Sequence, residues 1–321
     1  VLARRRSKGC GETCPGSLAD LLSRLILDLV RLRWDRDASV EPISAYLQIV
    51  QNGGVAMQVP TKVRFWNWLS ICLSVISPSF SYAESLYPNS VVSNDLEFIR
   101  TSDQSVFSCV AFQGTERAEM PDKRSDALFD SGTFIFQANY KDGTSDGLWA
   151  HSDFGSQSAA LRFVEPVAQA IGKLPTIMRS KLDHVVIHNG DEVAFGEADG
   201  HFFVLYSDNI RTRIRNHDLE ETVFHESVHA TLDAKYLRNR AWRNAQRADG
   251  AFVTEYAARL PEKEDMAESA LFAWTMLVHP GRLPQRIEAQ VRQIMPNRLA
   301  FFEDLFLKKP IFHRVGSERG C

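Results

Sequence analysis

Residues 218–233 read Asp218-Leu-Glu-Glu-Thr-Val-Phe-His-Glu-Ser-Val-His-Ala-Thr-Leu-Asp233, with His225-Glu226-Ser227-Val228-His229 at their centre. On an α-helix, residues four apart lie about 40° apart around the axis, so His225 and His229 present two imidazoles to one point. That suits a single metal ion. Glu226 falls on the adjoining edge of the same face, where a carboxylate reaches a water beside the metal rather than the metal itself. Asp218 and Glu221 form a capping-box pattern, and Leu219, Val223, Phe224, Val228 and Leu232 supply the apolar helical positions. The spacing predicts a helix over about 218–235. The plainer alternative is a surface helix that happens to carry two histidines and several acids. The apolar positions beside both histidines weigh against it.

A metal held by two histidines for catalysis needs a third protein ligand and an open fourth position. Glu264-Asp-Met-Ala-Glu268 offers one, following Pro261, which suits a first helical turn, and preceding the apolar run Ala270-Leu-Phe-Ala-Trp-Thr-Met-Leu-Val278. Glu264 and Glu268 share a face, so one can bind a metal while the other takes the N–H of a ligand histidine. Acids also favour a helix N-terminus electrostatically, which alone accounts for Glu262, Glu264 and Asp265. Glu268, set among Met266, Ala267, Ala270 and Leu271, is harder to explain that way.

The two motifs together, preceded by Phe252, Val253 and Tyr256 and including Ala267, resemble the gluzincin zinc metallopeptidases. Within them the likeness is to the group containing the catalytic domain of anthrax lethal factor and related bacterial secreted zinc peptidases. The resemblance spans residues 180–280. It implies an α+β, zincin-like fold, in which a small mixed sheet packs on the helix of residues 225–229 and the C-terminal half is helical. It implies a bound Zn²⁺ with His225, His229 and Glu264 as ligands, Glu226 as general base, Glu268 behind a ligand histidine, and Tyr256 as a donor to the oxyanion. The Tyr256-to-Glu264 interval is one residue longer than the family's pattern. A metzincin would need Gly and His where Leu232 and Lys235 stand, so that class is excluded.

At 321 residues, 44% hydrophobic and 24% charged, the chain is ordinary globular material. Its formal net charge of −3 gives no reason to expect a nucleic-acid partner. The five cysteines, at 10, 14, 72, 109 and 321, lack metal-finger spacing.

Residues 1–56 begin with Val, carry Arg4-Arg-Arg6, and include a plausible amphipathic helix over 18–34. From Met57 the pattern changes. Lys62 and Arg64 precede the apolar stretch Phe65–Ile76, and Pro78 precedes Ser81-Tyr82-Ala83, which has the form of a secretory cleavage site. The apolar stretch falls short of the ~20 residues that span a bilayer. The expectation is therefore a signal peptide over 57–83, with 1–56 a non-native upstream extension, translation starting at Met57, and a secreted or periplasmic product without a stable membrane anchor. Cleavage after Ala83 would leave Cys109 and Cys321 as the only cysteines, which permits a bridge between them in an oxidising compartment.

The mature chain divides into an N-terminal segment over 84–125 and a zincin-like catalytic domain over 126–321. Strands are expected at 106–112, 132–140, 184–188, 193–195 and 201–206, a charged linker at 116–126, and helices at 156–171 and 174–182. Pro280-Gly281 ends the second motif's helix, and two closing helices follow at 284–294 and 296–306. His201–Tyr206 is the expected sheet edge beside the metal, where an extended protein or peptide substrate adds by main-chain hydrogen bonds. His184 and His188 would share a strand face, either as a second metal site or, more plainly, as ordinary strand histidines. His217, His279 and His313 are spare histidines, either substrate or proton-relay groups or, more plainly, surface or capping residues. Two rival readings stay open: a secreted zinc-stabilised binding or structural protein without catalysis, and a cell-envelope interaction protein in which the histidines are incidental.

Overall fold

The protein is described over residues 84–308 by a computed structural model. The expected upstream extension and signal peptide, Cys321 and His313 lie outside the described residues. β-Branched and aromatic residues recur through 107–140, and they pair as a long antiparallel hairpin of β1 (Phe107–Glu119) and β2 (Phe129–Tyr140). The strand expected at 106–112 thus continues into the stretch expected as a charged linker. Glu116, Arg117 and Glu119 point to solvent from an edge strand, which tolerates and even requires such charges. The segment over 84–125 therefore contributes a strand to the same sheet as the residues that follow. Cys109, on β1, is disulfide-bonded.

A turn with Gly143 at positive φ leads into β3 (Ser145–Ala150), antiparallel to β2. The next strand, β4 (His184–His188), is parallel to β3 and so needs a crossover. The crossover holds a short turn (Ser152–Phe154), α1 (Gln157–Ile171) and α2 (Thr176–Arg179). The helix expected over 174–182 shrinks to those four residues because Pro175 caps its start and Ser180 closes it at once. Then β5 (Phe195–Glu197) runs out to the end of the sheet and β6 (Phe202–Tyr206) returns inside it, giving the order β1-β2-β3-β4-β6-β5. The strand expected at the edge, 201–206, is therefore interior, and β5 takes the edge. The physical reason is visible in Phe202-Phe-Val-Leu-Tyr206, an apolar run without polar alternation, as a strand covered on both faces requires.

The remainder is helical: α3 (Ser207–Asn216), α4 (Leu219–Val228), a wide π-type turn (His229–Asp233), α5 (Ala234–Tyr236), α6 (Arg240–Asp249), α7 (Glu255–Arg259), α8 (Asp265–Val278), α9 (Gln285–Ile294) and α10 (Pro296–Glu303). The helix expected over 218–235 is thus interrupted at its second histidine. Its capping box does not form, because Asp218 pairs with Arg213 at 2.9 Å and Glu221 accepts the Phe98 amide at 2.7 Å. The architecture is α+β with a mixed six-stranded sheet.

The main core lies on one face of the sheet, where Val164 and Val167 of α1, Val223 and Phe224 of α4, and Met266 and Leu271 of α8 meet Val185, Ile187, Phe203 and Leu205. Fully burying each such side chain contributes about 1.5–3 kcal/mol. Val91, Val92, Phe98 and Ile99 of the N-terminal segment belong to the same core. On the opposite face Val186, Val204 and Tyr206 pack under Met120. His184 and His188 share this opposite face. The His184 ring stacks 3.7 Å from Trp149 and its Nδ1 lies 2.8 Å from Asp183, while His188 Nε2 lies 3.0 Å from the Pro121 carbonyl oxygen. They are ordinary strand histidines, and among the described residues they form no metal-ligating group. No helix of the described residues is long and apolar enough to cross a membrane.

Candidate metal centre

The last turn of α4 carries His225 and Glu226, and His229 opens the wide turn that follows. π-Type turns recur at functional sites because they re-aim side chains without ending the helix. Edge strand β5 crosses this helix closely. A Cβ on Gly196 would stand 2.5 Å from His229 Cβ and 2.7 Å from the Glu226 carbonyl oxygen, so only glycine lets the strand lie there. Glu264 arrives from the opposite side, one residue before α8. Its helix start is anchored by the next residue, Asp265, which pairs with Arg298 where both side chains are fully buried.

These elements bring three ligand atoms together. His225 Nε2 and His229 Nε2 stand 3.3 Å apart, and Glu264 Oε2 lies 3.5 Å from the first and 3.3 Å from the second. Two imidazole nitrogens and one carboxylate oxygen converging on one point are a donor set that could hold a metal ion. Each histidine has a carboxylate behind it. His229 Nδ1 is 2.7 Å from Asp233 Oδ2, and His225 Nδ1 faces Glu268 Oε1 at 3.7 Å. Such partners leave Nε2 of each ring free to face a metal.

The electrostatics of the cluster favour a cation. Burial pushes the Glu264 carboxyl up, but hydrogen bonds with His225 and His229 outweigh it and hold the group well below the usual carboxylate range. Burial pushes the His229 imidazole down, and Asp233 and Glu264 more than reverse that. A divalent ion could take the place of the protons that these imidazoles and carboxylates otherwise share.

Glu226 and Tyr256 line the same cavity, of about 860 Å³, which runs from β5 past the three ligands to Ser90, Val92 and Ser93. Burial raises the Tyr256 phenol pKa, and the charge and hydrogen bond of Glu264 raise it further. All six residues expected at the site therefore meet at one place. Of the spare histidines, the two that are described do not. His217 caps α3 at a positive φ and His279 closes α8 at 3.5 Å from Asp103, while His313 lies outside the described residues.

The sequence reading missed Asp233, Gly196 and the donors behind Glu268. Asp233 had a signal, since it stands four residues beyond His229. The others had none, because Ser90 and Thr254 reach Glu268 from distant segments. Comparison of the chain with known protein families, with curated proteins and with solved structures finds no match.

Proposed function

We propose that this chain is a zincin-like metallopeptidase of gluzincin type, hydrolysing peptide bonds in protein or peptide substrates. The observation that supports it most is the placement of Glu226 in the cavity that holds His225, His229 and Glu264, beside the terminal strand of the sheet. Zinc held by those three residues would lower the pKa of a water toward neutrality and polarise a substrate carbonyl. Glu226 takes the proton from that water and passes it to the departing amine. Tyr256, a phenol neutral at ordinary pH, donates to the carbonyl oxygen as negative charge gathers there. β5 offers its outer edge to an extended chain, so main-chain pairing gives affinity with little demand on sequence. A secreted or periplasmic location fits both the signal-peptide pattern and the disulfide at Cys109, a bond that persists in oxidising compartments.

The test is elemental analysis of the purified protein together with cleavage of a peptide library. One zinc per chain, cleavage by the wild type, and zinc retained without cleavage in Glu226→Gln are the expected results. Zinc without cleavage in the wild type would favour a zinc-stabilised binding protein. No zinc after supplementation would overturn the metal reading.

A further inference from the structure

The N-terminal segment does more than fill the core. Residues 86–99 cross both ligand-bearing helices and bond to a buried carboxylate on each: Phe98 N–H donates to Glu221 of α4 at 2.7 Å, and Val91 N–H donates to Glu268 of α8 at 2.8 Å. The segment is itself tied down. Leu86 N–H donates to the Val253 carbonyl and Glu255 N–H to the Tyr87 carbonyl, both at about 2.8–2.9 Å, and Arg213 donates to the Val92 carbonyl at 3.1 Å.

Glu268 is fully buried, and a buried polar group needs donors to replace the water it has lost. Its donors are few and specific. Ser90 Oγ donates to Oε1 at 2.6 Å, while Val91 N–H and Thr254 Oγ both donate to Oε2 at 2.8 Å. Oε1 is also the atom facing His225 Nδ1, a ring nitrogen that is buried and has no hydrogen-bond partner as the structure stands. The orientation of that ring therefore depends on where Oε1 is held.

We infer that Ser90, with the Val91 amide, positions the metal ligand His225 by fixing the Glu268 carboxylate, so that residues 86–93 are part of the metal centre although they contribute no ligand. This rests on the metal-binding reading of His225, His229 and Glu264. Without the Ser90 hydroxyl, Oε1 of Glu268 loses the donor that fixes it. The carboxylate turns, and His225 Nδ1 loses the oxygen it faces. Carboxylates behind ligand histidines are worth about 10–100-fold in metal affinity, and loss of the group that holds one should cost about the lower end of that range.

The experiment is zinc affinity by competition with a chromophoric chelator, alongside the visible spectrum of the cobalt-loaded protein. The proteins compared are the wild type, Ser90→Ala, Ser90→Thr and Leu96→Ala. Leu96 packs on the same core from the same segment and is not among the donors to Glu268, so its truncation loosens the segment while leaving those bonds in place. The expected result is a roughly tenfold weaker affinity and an altered cobalt spectrum in Ser90→Ala, both restored in Ser90→Thr, with Leu96→Ala less stable but wild-type in both readouts. Unchanged or tighter zinc binding in Ser90→Ala would overturn the inference, as would equal weakening in Leu96→Ala. If Ser90→Ala does not fold, Ser90→Thr and Leu96→Ala still decide it: wild-type affinity in the first and loss in the second would show a packing role only. A wild type that binds no zinc would instead overturn the metal reading itself.

Discussion

His229 and Asp233 meet at 2.7 Å, Nδ1 to Oδ2, at the two ends of the wide turn that interrupts the helix after Val228. The carboxylate lies in the chain four residues beyond the histidine it orients, and the turn holds both. Replacing Asp233 with Asn keeps the shape but removes the charge that makes the imidazole a stronger ligand. Metal affinity is expected to fall by about 10–100-fold with little change in the melting temperature of the metal-free protein. Competition titration beside a thermal melt checks both halves, and an unchanged affinity would refute the role.

Gly196→Ala tests the close crossing of β5 over α4. The added Cβ would meet the His229 Cβ and the Glu226 carbonyl oxygen, atoms of a packed helix that have nowhere to go. Overpacking of this kind costs about 1–3 kcal/mol, and here the strain falls on the two residues that matter most. Urea unfolding should show that loss, and metal titration should show weaker binding. A variant as stable as the wild type, with full metal affinity, would mean that the strand can shift without consequence.

Much of this was legible in the chain, and the parts that were not have physical causes. His225, Glu226, His229, Glu264 and Glu268 stand at helical spacings within two short stretches, so local geometry sufficed to group them within each stretch, and the family resemblance joined the two. Edge position was misread because pairing partners, unlike periodicity, are not written in a strand's own residues: Phe202–Tyr206 has the composition of an interior strand, and the strand expected at 193–195, which forms at Phe195–Glu197, carries nothing that marks it as the edge. Glu116–Glu119 looked like a linker because outward charge on an edge strand and charge in a loop read alike. Asp218 and Glu221 matched a capping box, yet each found a tertiary partner that outcompeted the local bond.

Glu221 carries a pH dependence that can be measured. It is buried on α4 one turn before His225, and burial, helped by the charges of Asp218 and Glu220, pushes its pKa up to about 8 against the bonds from the Phe98 and Ile99 amides. The folded protein then holds a proton that the unfolded chain releases near its ordinary value of 4.5. Stability from this group is complete below that value and is lost as pH rises toward about 8, at up to about 1.4 kcal/mol per pH unit. Glu221→Gln keeps the neutral shape at every pH. Its advantage over the wild type in urea unfolding should grow from pH 5 to pH 8, and a constant difference across that range would show that Glu221 is ionised throughout.

The last prediction concerns the anchor of α8. Arg298 is fully buried and donates to Asp249 Oδ2 at 2.9 Å, to Asp265, and to the Ala251 carbonyl. One guanidinium thus joins α10 to the end of α6 and to the residue beside Glu264. Arg298→Met leaves two buried carboxylates without their counter-charge, which is expected to cost about 3–5 kcal/mol. Arg298→Lys keeps the charge but lacks the planar fork needed to serve Asp249 and Asp265 together, so it should recover only part of that loss. Because Asp265 sets the first turn of α8, both variants should also bind metal more weakly, with Arg298→Met the weaker of the two. Urea midpoints and metal titration on the same samples separate the effects. Full metal affinity in a destabilised Arg298→Met would place Glu264 under the control of its own loop rather than of the buried pair.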